Sequence, residues 1–149
     1  MHEDSDRMSR EIACRAGIVG VGRQGCKCED LSMEIERWRG TAIGRSPMVA
    51  YGGLVWIVAN TRDVHSDLHA QVDETLSLLA AFLQDAGSTR ERLLSVQVLL
   101  RDIGDRDAFD AKWREWIGPN PDHWPQRAVY GAPLAPGLLI EIIATAARA

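Results

Sequence analysis

The sequence predicts an α+β fold, a two-layer sandwich in which two helices pack on a mixed sheet. Three observations carry this. The segments SDLHAQVDETLSLLAAFLQDAG and DRDAFDAKWREWIG repeat apolar residues at helical spacing. The segments around them alternate, or are rich in β-branched and aromatic residues, and read as strands. The signals interleave in the order β-ββ-α-β-α-β-β, and 149 residues have room for one sizeable core.

Residues 1 to about 32 read as a leader, poorly ordered or separately docked, because charge and glycine dominate and no apolar period persists. Gly20, Gly22 and Gly25 spell G-x-G-x-x-G there. A phosphate-binding fingerprint needs a strand before it and a helix after it. Ala16 to Val21 is at best a marginal strand, and CKCEDLSMEIERWRG has no amphipathic period, so a nucleotide site is not expected. Cys14, Cys26 and Cys28 are spaced C-x11-C-x-C, unlike the paired C-x2-C of structural zinc sites. Neither metal nor cofactor is expected.

From Met33 the signals become regular. MEIERW reads as a first strand, and MVAYGGLVWIVAN as two strands about a tight Gly52-Gly53 turn. In the first helix Leu68, Val72, Leu76, Leu79 and Leu83 share a face, with Ser66 or Asp67 to cap it and Gly87 to end it. RLLSVQVLLRD is strand-like. The second helix sets Phe109, Trp113 and Trp116 or Ile117 on one face, opened by Asp105 and closed by Gly118. These aromatics read as packing rather than a base-stacking platform. A proline-rich loop, GPNPDHWP, leads to the strands QRAVYGA and LLIEIIATA. The last is apolar on both sides, so both sheet faces must be covered, and an oligomer does this most simply.

Composition excludes some functions. A formal net charge of −4 with no basic stripe argues against general nucleic-acid binding. No apolar run approaches the roughly 18 residues of a membrane span. The first residues lack the build of a secretion signal, and the cytoplasm is the expected compartment.

The chemistry lies near the other end. Glu141 interrupts an apolar strand, where an unpaired carboxylate would cost several kcal/mol. Alternation sets Leu139, Glu141 and Ile143 on one face, with Ile140 and Ile142 on the other. If the strand of Arg127 is its neighbour, the two residues reach a common pocket. They would form either a structural staple or a site, in which Arg127 holds a carboxylate and Glu141 positions a water or shuttles a proton. Gln71, at the start of the first helix, suits a structural bond to backbone. His65 and His69 lack the Glu of an H-E-x-x-H motif and read as solvent-facing.

From about Met33 to Ala149 the chain resembles the Rid family, also called YjgF or endoribonuclease L-PSP. The stretches that carry the likeness are RSPMVAYGGLVWIVAN, QVDETLSLLAAFLQDAGS, LRDIGDRDAFDAKWREW and PQRAVYGAPLAPGLLIEIIATAA. The resemblance implies a chorismate-mutase-like fold in a homotrimer, its sheets forming a central barrel, with ligand pockets between subunits. It implies hydrolysis of small enamines or imines to 2-oxo acids and ammonia. Arg127 matches the family's substrate-binding arginine, Glu141 its water-positioning glutamate, and the backbone amide of Val129 a ligand-contacting amide. The partner would be a small carboxylate-bearing metabolite, with no nucleic acid and no membrane.

Three positions depart from the deaminase pattern: Ser46 replaces a tyrosine, Ala59 a serine and Asp110 an asparagine. The missing hydroxyl at Ala59 removes a hydrogen-bond partner. Arg45, beside Ser46, would add a second positive charge to an anionic ligand, or be a solvated loop residue. A second reading therefore stands beside the enzyme: a non-catalytic trimer of the same fold that binds a small carboxylate.

Overall fold

The computed structural model describes residues 33–149, so the glycine motif, the three cysteines and the expected leader lie outside the described residues. The elements are β1 (Glu36–Trp38), β2 (Met48–Tyr51), β3 (Leu54–Asn60), α1 (Leu68–Asp85), β4 (Leu93–Leu100), α2 (Arg106–Ile117), β5 (Gln126–Gly131) and β6 (Ile140–Ala147). Single 3-10 turns precede β4, α2 and β5. The order of helices and strands is the one the periodicity predicts.

Local chemistry explains the boundaries. Gly52 and Gly53 both take positive φ, which closes the β2–β3 hairpin in two residues. The Asp67 side chain caps α1 by accepting from Ala70 N at 2.9 Å. At the other end Gly87, with φ +71°, lets Ser88 N return to Leu83 O at 2.8 Å. The opening of α2 differs from expectation. Asp105 stands at its start but makes no side-chain cap; Asp102 instead turns the preceding 3-10 segment by accepting from Gly104 N at 2.8 Å. β1 is also shorter than MEIERW, because Met33 and Ile35 find no cover and stay exposed.

The six strands form one sheet in the order β1-β2-β3-β6-β4-β5. Only β4 and β5 are parallel, joined through α2. β6, last in the chain, is inserted between β3 and β4, which is why it is apolar on both faces apart from Glu141 and Thr145. Both helices cover one sheet face. Ile57, Val98, Leu100, Ile140 and Ile142 from the sheet meet Leu79, Leu83 and Phe109 from the helices in one core. The alternate residues, among them Trp56, Val58, Leu99, Glu141 and Ile143, face the other way. No helix among the described residues is long and apolar enough to cross a membrane.

Candidate active-site cleft

Glu141 sits near the start of β6, on the face away from the helices, with Asn60 opposite it on β3. Asn60 Nδ2 donates to Glu141 Oε2 at 2.8 Å, so a carboxylate on an apolar strand has a fixed donor. Both line an open cleft of about 870 Å³. The β1–β2 connection forms much of its wall, contributing Arg39, Thr41, Arg45 and Ser46. Arg62 follows from the end of β3, and Phe82 from α1.

The connection after β3 is tied to α1. The Thr61 hydroxyl donates to the Glu74 carboxylate, and Arg62 N adds a bond at 3.2 Å. These donors, Thr61 first, hold the Glu74 carboxyl below its ordinary range. Arg62 is thereby anchored through its backbone at the cleft edge.

Among the sequence-predicted residues, Glu141, Ser46 and Arg45 share this cleft, but Arg127 and Val129 do not line it. The reason is topological. β4 lies between β5 and β6, so the strands of Arg127 and Glu141 are not neighbours. Arg127 stands opposite Val96, which is buried toward the helices, whereas Glu141 stands opposite Leu99 on the open face. Within one chain the two side chains point to opposite sides of the sheet, and neither the common pocket nor the structural staple forms.

Arg127 is held instead by α2. Its Nη2 lies 2.7 Å from Asp110 Oδ1, and its guanidinium carbon is 5.5 and 5.3 Å from the Phe109 and Trp113 ring centres. The ion pair is close but off the hydrogen-bond axis, for Asp110 Oδ1 has no aligned donor. Arg127 Nη1 is buried with no hydrogen-bond partner among the described residues. Val129 packs on the same side, against the core. Ala132 N donates to Leu100 O at 2.9 Å. By alternation the amides of residues 128 and 130 also face β4, and that of Val129 points to the free edge of the sheet.

Sequence reasoning missed Asn60, Arg39 and Arg62. A signal for Asn60 was present: it shares parity with Trp56 and Val58, so it had to face away from the core. Ala59 is fully buried on the helix side, so its missing hydroxyl concerns packing, and Asn60 supplies the hydrogen bond in the cleft. His65 and His69 are exposed, as expected. The described residues contain no group of three His, Cys, Asp or Glu placed to hold a metal.

Comparison with known proteins addresses the same segment. The model of the family described as endoribonuclease L-PSP matches residues 32–148. The chain belongs to the L-PSP (YjgF/Rid) family. A RutC family protein of Haemophilus ducreyi is 30% identical over 104 residues, covering 68% of this chain and 87% of the relative. A YjgF-family structure from Neisseria meningitidis superposes with a TM-score of 0.71 at 28% identity, covering 78% of this chain and 97% of the other. A YjgF/YER057c/UK114 family structure from Mycobacterium tuberculosis, 22% identical, shares the fold with a TM-score of 0.63, covering 76% of this chain and 99% of its own. In this L-PSP family chain, then, the matched segment takes in the whole sheet and both helices.

Proposed function

We propose that this protein hydrolyses small carboxylate-bearing enamines or imines to 2-oxo acids and ammonia. The observation that carries the reading is Glu141, a partly exposed carboxylate on an otherwise apolar strand, fixed by Asn60 at 2.8 Å in an open cleft. In the proposed reaction an enamine first takes a proton from solvent on carbon to become a protonated imine. Glu141 then accepts a proton from water as the water oxygen bonds to the imine carbon. That proton passes to nitrogen, and the C–N bond breaks as the new hydroxyl gives its proton to Glu141, so that ammonia leaves and the carbonyl forms.

The reading includes a homotrimer with sites between subunits. Trp56, Val58 and Tyr130 lie on the sheet face away from the helices and are 38–50% exposed in the single chain. An apolar face of this kind calls for cover by protein. A neighbour's β5 edge set against the cleft would bring to Glu141 the Arg127 that its own chain turns to the other side of the sheet. Arg127 would then bind the substrate carboxylate, and the Val129 amide would add a donor.

The second reading, a carboxylate-binding trimer without turnover, is favoured by Ser46, which lines the cleft where the resemblance implies a tyrosine. A coupled assay separates the two. An amino-acid oxidase generates imino acids, and 2-oxo acid release is followed with and without this protein. Acceleration is expected, with a loss of about 10²–10⁴-fold in Glu141→Gln, the usual worth of a general base. No acceleration across several amino acids would leave only the binding reading.

A further inference from the structure

We propose that Arg39 and Arg45 form a second anion subsite in the Glu141 cleft, and that the ligand is a dianion, an imino or 2-oxo acid whose side chain ends in its own acidic group. The proposal rests on the cleft reading above and names its substrate class.

The β1–β2 connection presents both arginines to the cleft, and its end is anchored. Val58 N donates to Pro47 O at 2.9 Å, and Gly40 lets the loop close, since a Cβ there would stand 3.3 Å from Pro47 Cδ. Gly44 turns the connection just before Arg45, with φ +83°. The two arginines thus stand on a loop held at both ends, by β1 and by Pro47.

Their charges are free. Neither the Arg39 nor the Arg45 side chain makes a hydrogen bond or ion pair with another described residue. Arg62, the third guanidinium in the lining, has Glu74 beside it. Among the described residues Glu141 is the one carboxylate lining the cleft, and it is already engaged by Asn60. The formal net charge of the whole chain is −4, so this cleft runs against the charge of the molecule. A concave site lined by one sign of charge concentrates ligands of the other.

Arg127 shows the contrast. It has Asp110 at 2.7 Å and two aromatic rings for company, and it reaches a cleft only as the neighbour's first carboxylate-binding arginine in the reading above. A ligand with a single carboxylate leaves the loop arginines without a partner. A second acidic group at the far end of the ligand gives them one.

Calorimetric titration of the full chain tests this with three stable 2-oxo acids. 2-Oxobutyrate ends in a methyl group, 2-oxoglutarate in a carboxylate and 3-phosphohydroxypyruvate in a phosphate. At low salt at least one of the two ligands with a second acidic group is expected to bind ten-fold or more tightly than 2-oxobutyrate, and the tighter of the two identifies that group. The preference should shrink as salt rises. The double variant Arg39→Gln/Arg45→Gln, at exposed positions, should keep the wild-type melting temperature and bind 2-oxobutyrate within two-fold, but lose the preference. Equal binding of all three by the wild type, no binding of any, or a preference surviving in the double variant would overturn the subsite. Imine hydrolysis with no charge preference sinks the subsite alone. A charge preference without hydrolysis sinks the enzymatic reading alone.

Discussion

Gln71 shows how one buried polar residue can organise a loop. It is fully buried, and its Nε2 donates to Ser66 O at 3.1 Å and Gly137 O at 2.9 Å while its Oε1 accepts from Leu139 N at 2.9 Å. It thereby sets the entry into β6, two residues before Glu141. Gln71→Leu leaves buried backbone groups unpaired and should cost about 3 kcal/mol in urea unfolding. An unchanged midpoint would show that water replaces the side chain. The glycines at 87 and 137 make a matched pair. Both have positive φ, but a Cβ at Gly87 meets nothing within 4 Å, whereas one at Gly137 would lie 2.7 Å from Val64 Cβ and Val64 O. Gly87→Ala should cost about 1–2 kcal/mol, the price of the left-handed conformation alone, and Gly137→Ala clearly more. Equal costs in the same unfolding series would refute the close approach.

At the scale of elements, Arg148 joins three pieces of the fold. It pairs with Glu36 of β1 through Nη1 at 2.7 Å and Nη2 at 3.2 Å, donates from Nε to Ala86 O at the end of α1, and lies over the Trp38 ring. The Arg148 hydrogen bond holds the Glu36 carboxyl below its usual range. A lowered native pKa means that the pair contributes above the ordinary carboxylate value of about 4 and is lost as pH falls through the lowered one. Melting temperatures of the wild type and Glu36→Gln, taken from pH 7 down to pH 3, should therefore converge toward acid. A gap constant with pH would rule out this linkage. The Asp67 cap is a simpler case, and Asp67→Ala should cost about 1 kcal/mol.

The whole molecule is decided by strand order. Most elements were legible in the sequence because their causes are local. The Gly52-Gly53 hairpin, the leucine stripe of α1 and the alternation of β6 each need only neighbours within a few residues. The parity of Glu141 was legible for the same reason, and so was the packing role of Phe109 and Trp113. Pairing between strands is not local. β6 is last in the chain but pairs with β3 and β4, and this insertion separates Arg127 from Glu141. The proposed trimer belongs to this scale too. Trp56→Lys, on the open sheet face, should turn a trimer in sedimentation into a folded monomer. A monomeric wild type would refute the assembly.

By itself the sequence determined the kinds of elements, their order, their caps and which residues of each strand share a face. These follow from φ preferences and from periods of 3.6 and 2. The tertiary structure alone decided which strands are neighbours and therefore which side chains meet. It put Asn60 beside Glu141, turned Arg127 toward Asp110, and gathered the loop arginines around the cleft. The physical reason is that a strand's own pattern sets its faces, while its partners are chosen by burial across the whole sheet, where a change of one residue in register turns a side chain to the opposite side.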